Sequence, residues 1–396
     1  MLFLSYWFVV FAAVFFGLYW LAPPRGRTAL ALAGSVVFHG HFAGPAGVAP
    51  VVVMGAATYF AGRSGRRGWC LAAITLVVGC LLAYKYCQFM LEGLLGLVAP
   101  ESGRRAWESA RGLLPAAPPL AISFFAFEFV HYLVEVLRGH PPIGSPREFA
   151  TFAVYWPSIV AGPIKRYEQF LPQLEAGARA LRRGDVATGA LRVGLGVLKK
   201  FVADTLTVWI SANTPGFATL PLASRWAFAV ALALRIVLDF SGYSDMAIGF
   251  ARMQGVRLPE NFLWPYLARS PADFWRRWHV SLSSWIRDYV YIPLGGGRSG
   301  PARRMLNGLV AFALCGLWHG AAWNFVAWGV YHGVGLAVVT GVGNLGAPGL
   351  YLAAFFRRAW VLSWLLTMLF VGAGWFLFFH PLGQALEMLR LLVRES

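Results

Sequence analysis

The chain has 396 residues, of which 58% are apolar and only 13% charged, with a formal net charge of +17 and a mean hydropathy of +0.59. That balance lies outside the usual composition of a soluble domain and reads as an integral membrane protein. The positive charge does not indicate nucleic acid, because Lys and Arg fall in short clusters between apolar runs, which is the positive-inside pattern of a polytopic chain.

In chain order, a spanning helix needs roughly 20 apolar residues, and uncharged runs of that scale cover 2–21, 28–62, 68–84, 305–356 and 359–386. The first lacks a basic n-region and an obvious small-residue cleavage site before Pro23-Pro24, so it is expected to be retained rather than removed as a signal peptide. The Gly44-Pro45 turn breaks the second run and is expected to face outside. The clusters Arg25/Arg27 and Arg63/Arg66/Arg67 then lie in the cytoplasm. The block 101–111 is amphipathic and mixed in charge, as an interfacial helix would be. Segments 120–137, 149–164, 186–211 and 226–250 read as helices carrying isolated charges, and 305–356 is long enough for two spans. The expectation is an all-α polytopic membrane protein of about nine to eleven membrane-embedded helices. No repeat with a period of about 20 to 50 residues and no polar block of domain size interrupts it, so 1–396 reads as a single membrane domain. The four cysteines show no metal-ligand spacing and read as small buried apolar side chains.

Three polar islands stand out. In "WRRWHVSLSSWIRDYVYIPLGGG" (275–297), helical spacing puts Trp275, Trp278, Leu282 and Trp285 on one stripe, with Arg276, Arg277, His279 and Arg287 around the rest. Each ionised group at mid-bilayer costs about 2.5 to 3.5 kcal/mol, so this segment either lies at the interface or lines a polar cavity. Just upstream, "LDFSGYSDMAIG" (238–249) places Asp239 and Asp245 in an apolar segment, where carboxylates are either functional or paired with arginine across helices. The third island, "CGLWHGAAWNF" (315–325), sets His319 between Gly316 and Gly320, which allow backbone or a thin substrate to approach closely. The other histidines, His131 and His332 among them, have no comparable company, and zincin or serine-hydrolase motifs are absent.

These islands, with "LPENFLWPYLARSPADFWRRWHVSLSSWIRDYVYIPLGG", "GLWHGAAWNFVAWGVYHG", "PLAISFFAFEFVHYLVEVLRG" (119–139) and "PSIVAGPIKRYEQFLPQL" (157–174), together resemble the core of the membrane-bound O-acyltransferase (MBOAT) family. The branch is the bacterial one that holds the membrane proteins of alginate O-acetylation and of teichoic acid D-alanylation. The match covers most of 119–335, and "GWFLFFHPLGQAL" (374–386) resembles a late family motif. Only ten residues follow that motif, a compact length closer to the D-alanyl-transferring members.

The resemblance implies a disc of tilted helices with a central catalytic tunnel. It also implies O-acyl transfer from a cytoplasmic thioester, acetyl-CoA or an acyl carrier protein thioester, to an extracytoplasmic polysaccharide or cell-wall glycan, completed by an extracytoplasmic acyltransferase partner. By motif match it implies His319 as catalytic and His279 as the second functional histidine. The donor or tunnel wall would draw on Asn261, Arg276, Arg277, Trp278, Ser281, Asp288, Tyr289, Trp318, Asp239, Asp245, Lys165 and Arg166. The cationic side chains Arg276, Arg277, Lys165 and Arg166 suit the phosphates of coenzyme A or of a phosphopantetheine arm. A thioester is already activated, so neither a metal nor a bound cofactor is expected. The location implied is the inner (plasma) membrane, with lipid around it and no nucleic-acid partner. D-alanyl transfer from a carrier protein to teichoic acid is the alternative within the family. Outside it, a solute transporter without acyl chemistry also places polar islands in broken helices.

Overall fold

The computed structural model describes residues 2–115, 117–298 and 300–394, and among them there are helices and connecting turns but no β-strand. Among the described residues, five helices are long and apolar enough to cross a membrane: Pro24–Ser64, Arg67–Tyr86, Leu222–Arg252, Trp323–Gly343 and Trp360–Phe379. Tyr6–Leu21 and Phe89–Val98 are apolar but shorter. The expectation of nine to eleven embedded helices therefore includes elements that are too short or too polar to span by length and composition alone. Large apolar side chains such as Val36, Val52, Phe60 and Leu369 are exposed on these helices, as lipid-facing residues are.

Pro24–Ser64 shows how a local rule shapes a span. Gly44 leaves the helical region with φ 63° and ψ 175°, a conformation that only glycine adopts without strain, and Pro45 follows, its missing N–H costing nothing at the start of a new helical arm. The break falls where the Gly44-Pro45 turn is expected. Pro100–Ala110 is the helix expected over 101–111, its exposed Arg104 paired with Glu101 and Glu108. The helix expected over 149–164 is Pro146–Val154 and stops there. Pro157 and the Gly162-Pro163 pair hold the chain in turns until Tyr167–Ala180 begins.

The chain folds into two compact units, Met1–Val197 with Tyr243–Pro259, and Leu198–Gly242 with Glu260–Ser396. The motif-bearing stretch 119–335 contributes to both. In the first unit the core is aromatic: Trp156, fully buried, is ringed by Phe3, Phe8, Phe15, Phe38 and Phe250 at centroid distances of 5.2 to 6.2 Å. Its indole-bearing segment is fixed by a backbone bond from Trp156 N to Ser35 Oγ at 3.1 Å. Such rings gain about 0.5 to 1.5 kcal/mol per edge or offset contact beyond their buried area.

In the second unit, Pro301–His319 and Trp323–Gly343 form a close pair joined by a three-residue turn. A Cβ on Gly316 would overlap the Phe325 carbonyl, and one on Gly329 would overlap that of Phe312, so these backbones approach as small-residue membrane interfaces do. Arg225, buried to 0% exposure, donates to the carbonyls of Ala218, Leu391 and Arg394 and ties the last helix of this unit to its first loop.

Candidate active site

The stretch 275–297 is not the single helix that its periodicity predicts. Pro271–Arg277 ends at Trp278, Val280–Ile286 starts after His279, and Arg287–Tyr291 is a π-helical turn. The tryptophan stripe is nevertheless buried: Trp275, Trp278, Leu282 and Trp285 are at most 8% exposed. The break is at His279 itself, which adopts a left-handed backbone of φ 44° and ψ 53°. For a residue with a Cβ that region costs about 1 to 2 kcal/mol, so surrounding bonds must hold it. They come from Asn261, fully buried, whose backbone carbonyl accepts from Val280 N at 3.0 Å.

The Asn261 side chain then orients the imidazole. Its Oδ1 accepts from Ser281 N at 3.3 Å and Ser281 Oγ at 2.9 Å, and lies 3.1 Å from His279 Nδ1. Because the Ser281 backbone N–H can only donate, Oδ1 is the acceptor and Nδ1 carries the proton. That leaves Nε2 with its lone pair, buried and without a hydrogen-bond partner among the described residues. His279 lies between short helices, outside the spanning ones, and burial followed by the nearby His319 holds its pKa well below the usual imidazole value, so it is neutral.

His319 closes the Pro301–His319 helix, and its ring centroid is 6.5 Å from that of His279. Trp318, Trp328 and Phe378 surround it edge-on at 4.8, 5.2 and 5.1 Å. Phe240 meets the His279 ring edge-on at 4.6 Å. Two imidazoles in an aromatic chamber, one with a fixed tautomer, have the composition of a proton-transfer site in a low dielectric.

Of the expected site residues, Asn261, Trp278, His279, Ser281, Trp318 and His319 belong to the second unit and converge through these contacts. The arginines separate. Arg276 is exposed and lines a cavity of about 430 Å³ with Trp275, Arg287, Arg304, Phe312 and Cys315. Both reach Asp273, Arg276 at 3.6 Å and Arg277 at 3.0 Å, but Arg277 also donates to the Leu263 carbonyl at 3.2 Å and braces its own loop. Asp288 pairs with Arg287 at 2.7 Å, and the Tyr289 ring lies tilted against Trp285 at 5.0 Å.

Three expected site residues occupy ion pairs between helices or loops. Asp239 binds Lys200 at 2.6 Å, and Lys200 also binds Asp204. Asp245 receives Arg192 at 2.9 Å. Lys165 is buried in the first unit against Glu128 at 2.5 Å, with its ammonium over the Phe152 and Phe170 rings, so it is already neutralised rather than presented to a phosphate. Arg166 beside it caps the start of Tyr167–Ala180. For the two carboxylates the geometry is that of the pairing alternative, with Arg192 at Asp245 and with Lys200 rather than an arginine at Asp239.

A family model described as MBOAT, membrane-bound O-acyltransferase family, matches residues 85–379. The chain belongs to the membrane-bound O-acyltransferase family. It is 34% identical over 384 residues to the probable alginate O-acetylase of Pseudomonas aeruginosa, covering 93% of this chain and 70% of that protein. It is 30% identical to the peptidoglycan O-acetyltransferase of Helicobacter pylori (83% of this chain, 65% of that protein). The teichoic acid D-alanyltransferase of Bacillus subtilis is 27% identical (67% and 73%). The chain is thus an MBOAT acyltransferase and a multi-pass membrane protein, which sets aside the transport reading.

Proposed function

We propose that this MBOAT protein moves an acetyl group from cytoplasmic acetyl-CoA across the inner membrane to a hydroxyl acceptor, for O-acetylation of an exopolysaccharide or cell-wall glycan completed by an extracytoplasmic partner. The observation that carries the reading is the His279–His319 pair, whose rings are close enough for both to act on one acceptor molecule. His319 takes the proton of the attacking hydroxyl as the oxygen attacks the thioester carbonyl, and the neutral, acceptor-only Nε2 of His279 orients the acceptor by accepting from a neighbouring donor group on it. The C–O bond forms, the C–S bond breaks, and the proton passes from His319 to the departing thiolate. Burial of the pair among rings excludes water that would otherwise hydrolyse the thioester. Arg276, exposed beside the cavity it lines, attracts the donor's phosphates.

The acetyl group is favoured over D-alanine because the relatives with higher identity and coverage bear O-acetylase names. Purified protein with radiolabelled acetyl-CoA should release coenzyme A in step with label appearing on a hydroxyl acceptor. Transfer from a D-alanyl carrier protein with none from acetyl-CoA would overturn the acetyl assignment.

A further inference from the structure

Acyl transfer in this chamber leaves one charge to be stabilised. As the hydroxyl oxygen attacks the thioester carbonyl, the C=O electron pair moves onto oxygen and an oxyanion forms. His319 is taking up a proton at that moment and His279 Nε2 only accepts, so neither donates to that oxygen. Among buried rings an anion without a donor is costly.

Trp328 carries a donor that nothing else uses. It lies on the second turn of Trp323–Gly343, is 0% exposed, and its Nε1–H is buried without a hydrogen-bond partner among the described residues. Its ring meets His319 edge-on at 5.2 Å, so a reacting group held at His319 is also at Trp328. Phe378 at 5.2 Å, Trp275 at 5.7 Å and Trp375 at 6.1 Å hold the indole from other sides. Gly329 beside it packs on the Phe312 carbonyl, which fixes the backbone that bears it. The ring nitrogen nearby that could accept is taken: Trp275 Nε1 donates to His332 Nδ1 at 3.2 Å, and a neutral imidazole has one acceptor nitrogen. The N–H left on His332 is also buried and unpartnered among the described residues, but that ring lies against Trp328, one ring further from His319. A buried unpaired donor costs the resting protein stability. Held rigidly beside the base, it matches a transition state better than a ground state.

We infer that the Trp328 indole N–H donates to the carbonyl oxygen of the donor thioester and stabilises the oxyanion. The inference rests on placing acyl transfer at the His279–His319 pair. When the intermediate collapses, the electron pair on oxygen re-forms C=O, the C–S bond breaks and the thiolate leaves with the proton from His319. The indole keeps its hydrogen throughout.

The test is made on the full-length protein in detergent, with whichever thioester the wild type turns over, acetyl-CoA or a D-alanyl carrier protein, well below each melting temperature. Benzothienylalanine at position 328 keeps the ring shape and replaces the N–H by sulfur. It should lower kcat about 10²- to 10³-fold, the usual effect of removing one oxyanion donor, and leave KM nearly unchanged. Its melting temperature should hold or rise, because the unpaired donor is gone. Trp328→Phe should repeat the kcat loss, with some loss of stability from the smaller ring. Affinity for a thioether analogue of the donor, which has no carbonyl oxygen, should not move in either variant. Wild-type kcat with benzothienylalanine, whatever happens to KM or melting temperature, would overturn the inference and return Trp328 to packing, with the histidine pair untouched. Normal kcat in folded His319→Ala would instead overturn the histidine assignment on which the inference rests.

Discussion

His279 holds an unfavourable backbone conformation to present one nitrogen, and Asn261 is the residue that makes this possible. Replacing Asn261 by Asp keeps the shape but puts a carboxylate 3.1 Å from Nδ1. The folded pKa of His279 lies well below the usual value; an added negative charge favours the cation and raises it. The acid limb of kcat/KM should therefore move to higher pH in Asn261→Asp, and an unshifted profile would detach His279 from the chemistry. His319→Ala should lose about 10²- to 10⁴-fold in transfer, the usual share of a general base, with its melting temperature in detergent preserved. Normal transfer by a folded His319→Ala would remove it from the mechanism. The two arginines should part company: Arg276→Gln should raise KM for the thioester more than it lowers kcat, because shared binding is lost. Arg277→Gln, which releases Asp273 and the Leu263 carbonyl, should lower thermal stability instead.

Among elements, the pair Pro301–His319 and Trp323–Gly343 sets where His319 ends up, and its geometry depends on glycine at the crossing. Gly316→Ala forces the Phe325 carbonyl away and should cost about 1 to 3 kcal/mol, as overpacking does. The displacement passes directly to His319, one turn onward, so transfer should fall with stability in detergent melting and activity assays on the same preparation. A Gly308→Ala control, whose added Cβ meets nothing within 4 Å, should change neither.

For the whole molecule the orientation follows from charge. By positive-inside counting, Arg63 to Arg67 and the segment 162–170 are expected on the cytoplasmic face. Single cysteines introduced there, in a chain with Cys70, Cys80, Cys87 and Cys315 replaced, should resist an impermeant thiol reagent on intact cells. Ready labelling would invert the topology.

Sequence alone determined what depends on composition and local rules. Apolar runs of bilayer length mark the spans, Gly44-Pro45 breaks one of them, and the ordered motifs carry the family. Histidines 279 and 319 were legible as candidates because polar islands are costly in an apolar chain. Tertiary structure alone decided the rest, because it depends on partners remote in sequence. His279 reads as mid-helix by periodicity, yet Asn261, upstream across a loop, holds it in a left-handed break and selects its tautomer. Asp239, Asp245 and Lys165 look alike as isolated charges, and only packing shows each neutralised by a partner on another segment. His131 and Glu135 share a helix face in the sequence, but Glu168 reaches His131 only when two helices meet, since spacing along a chain carries no record of which faces the fold brings together.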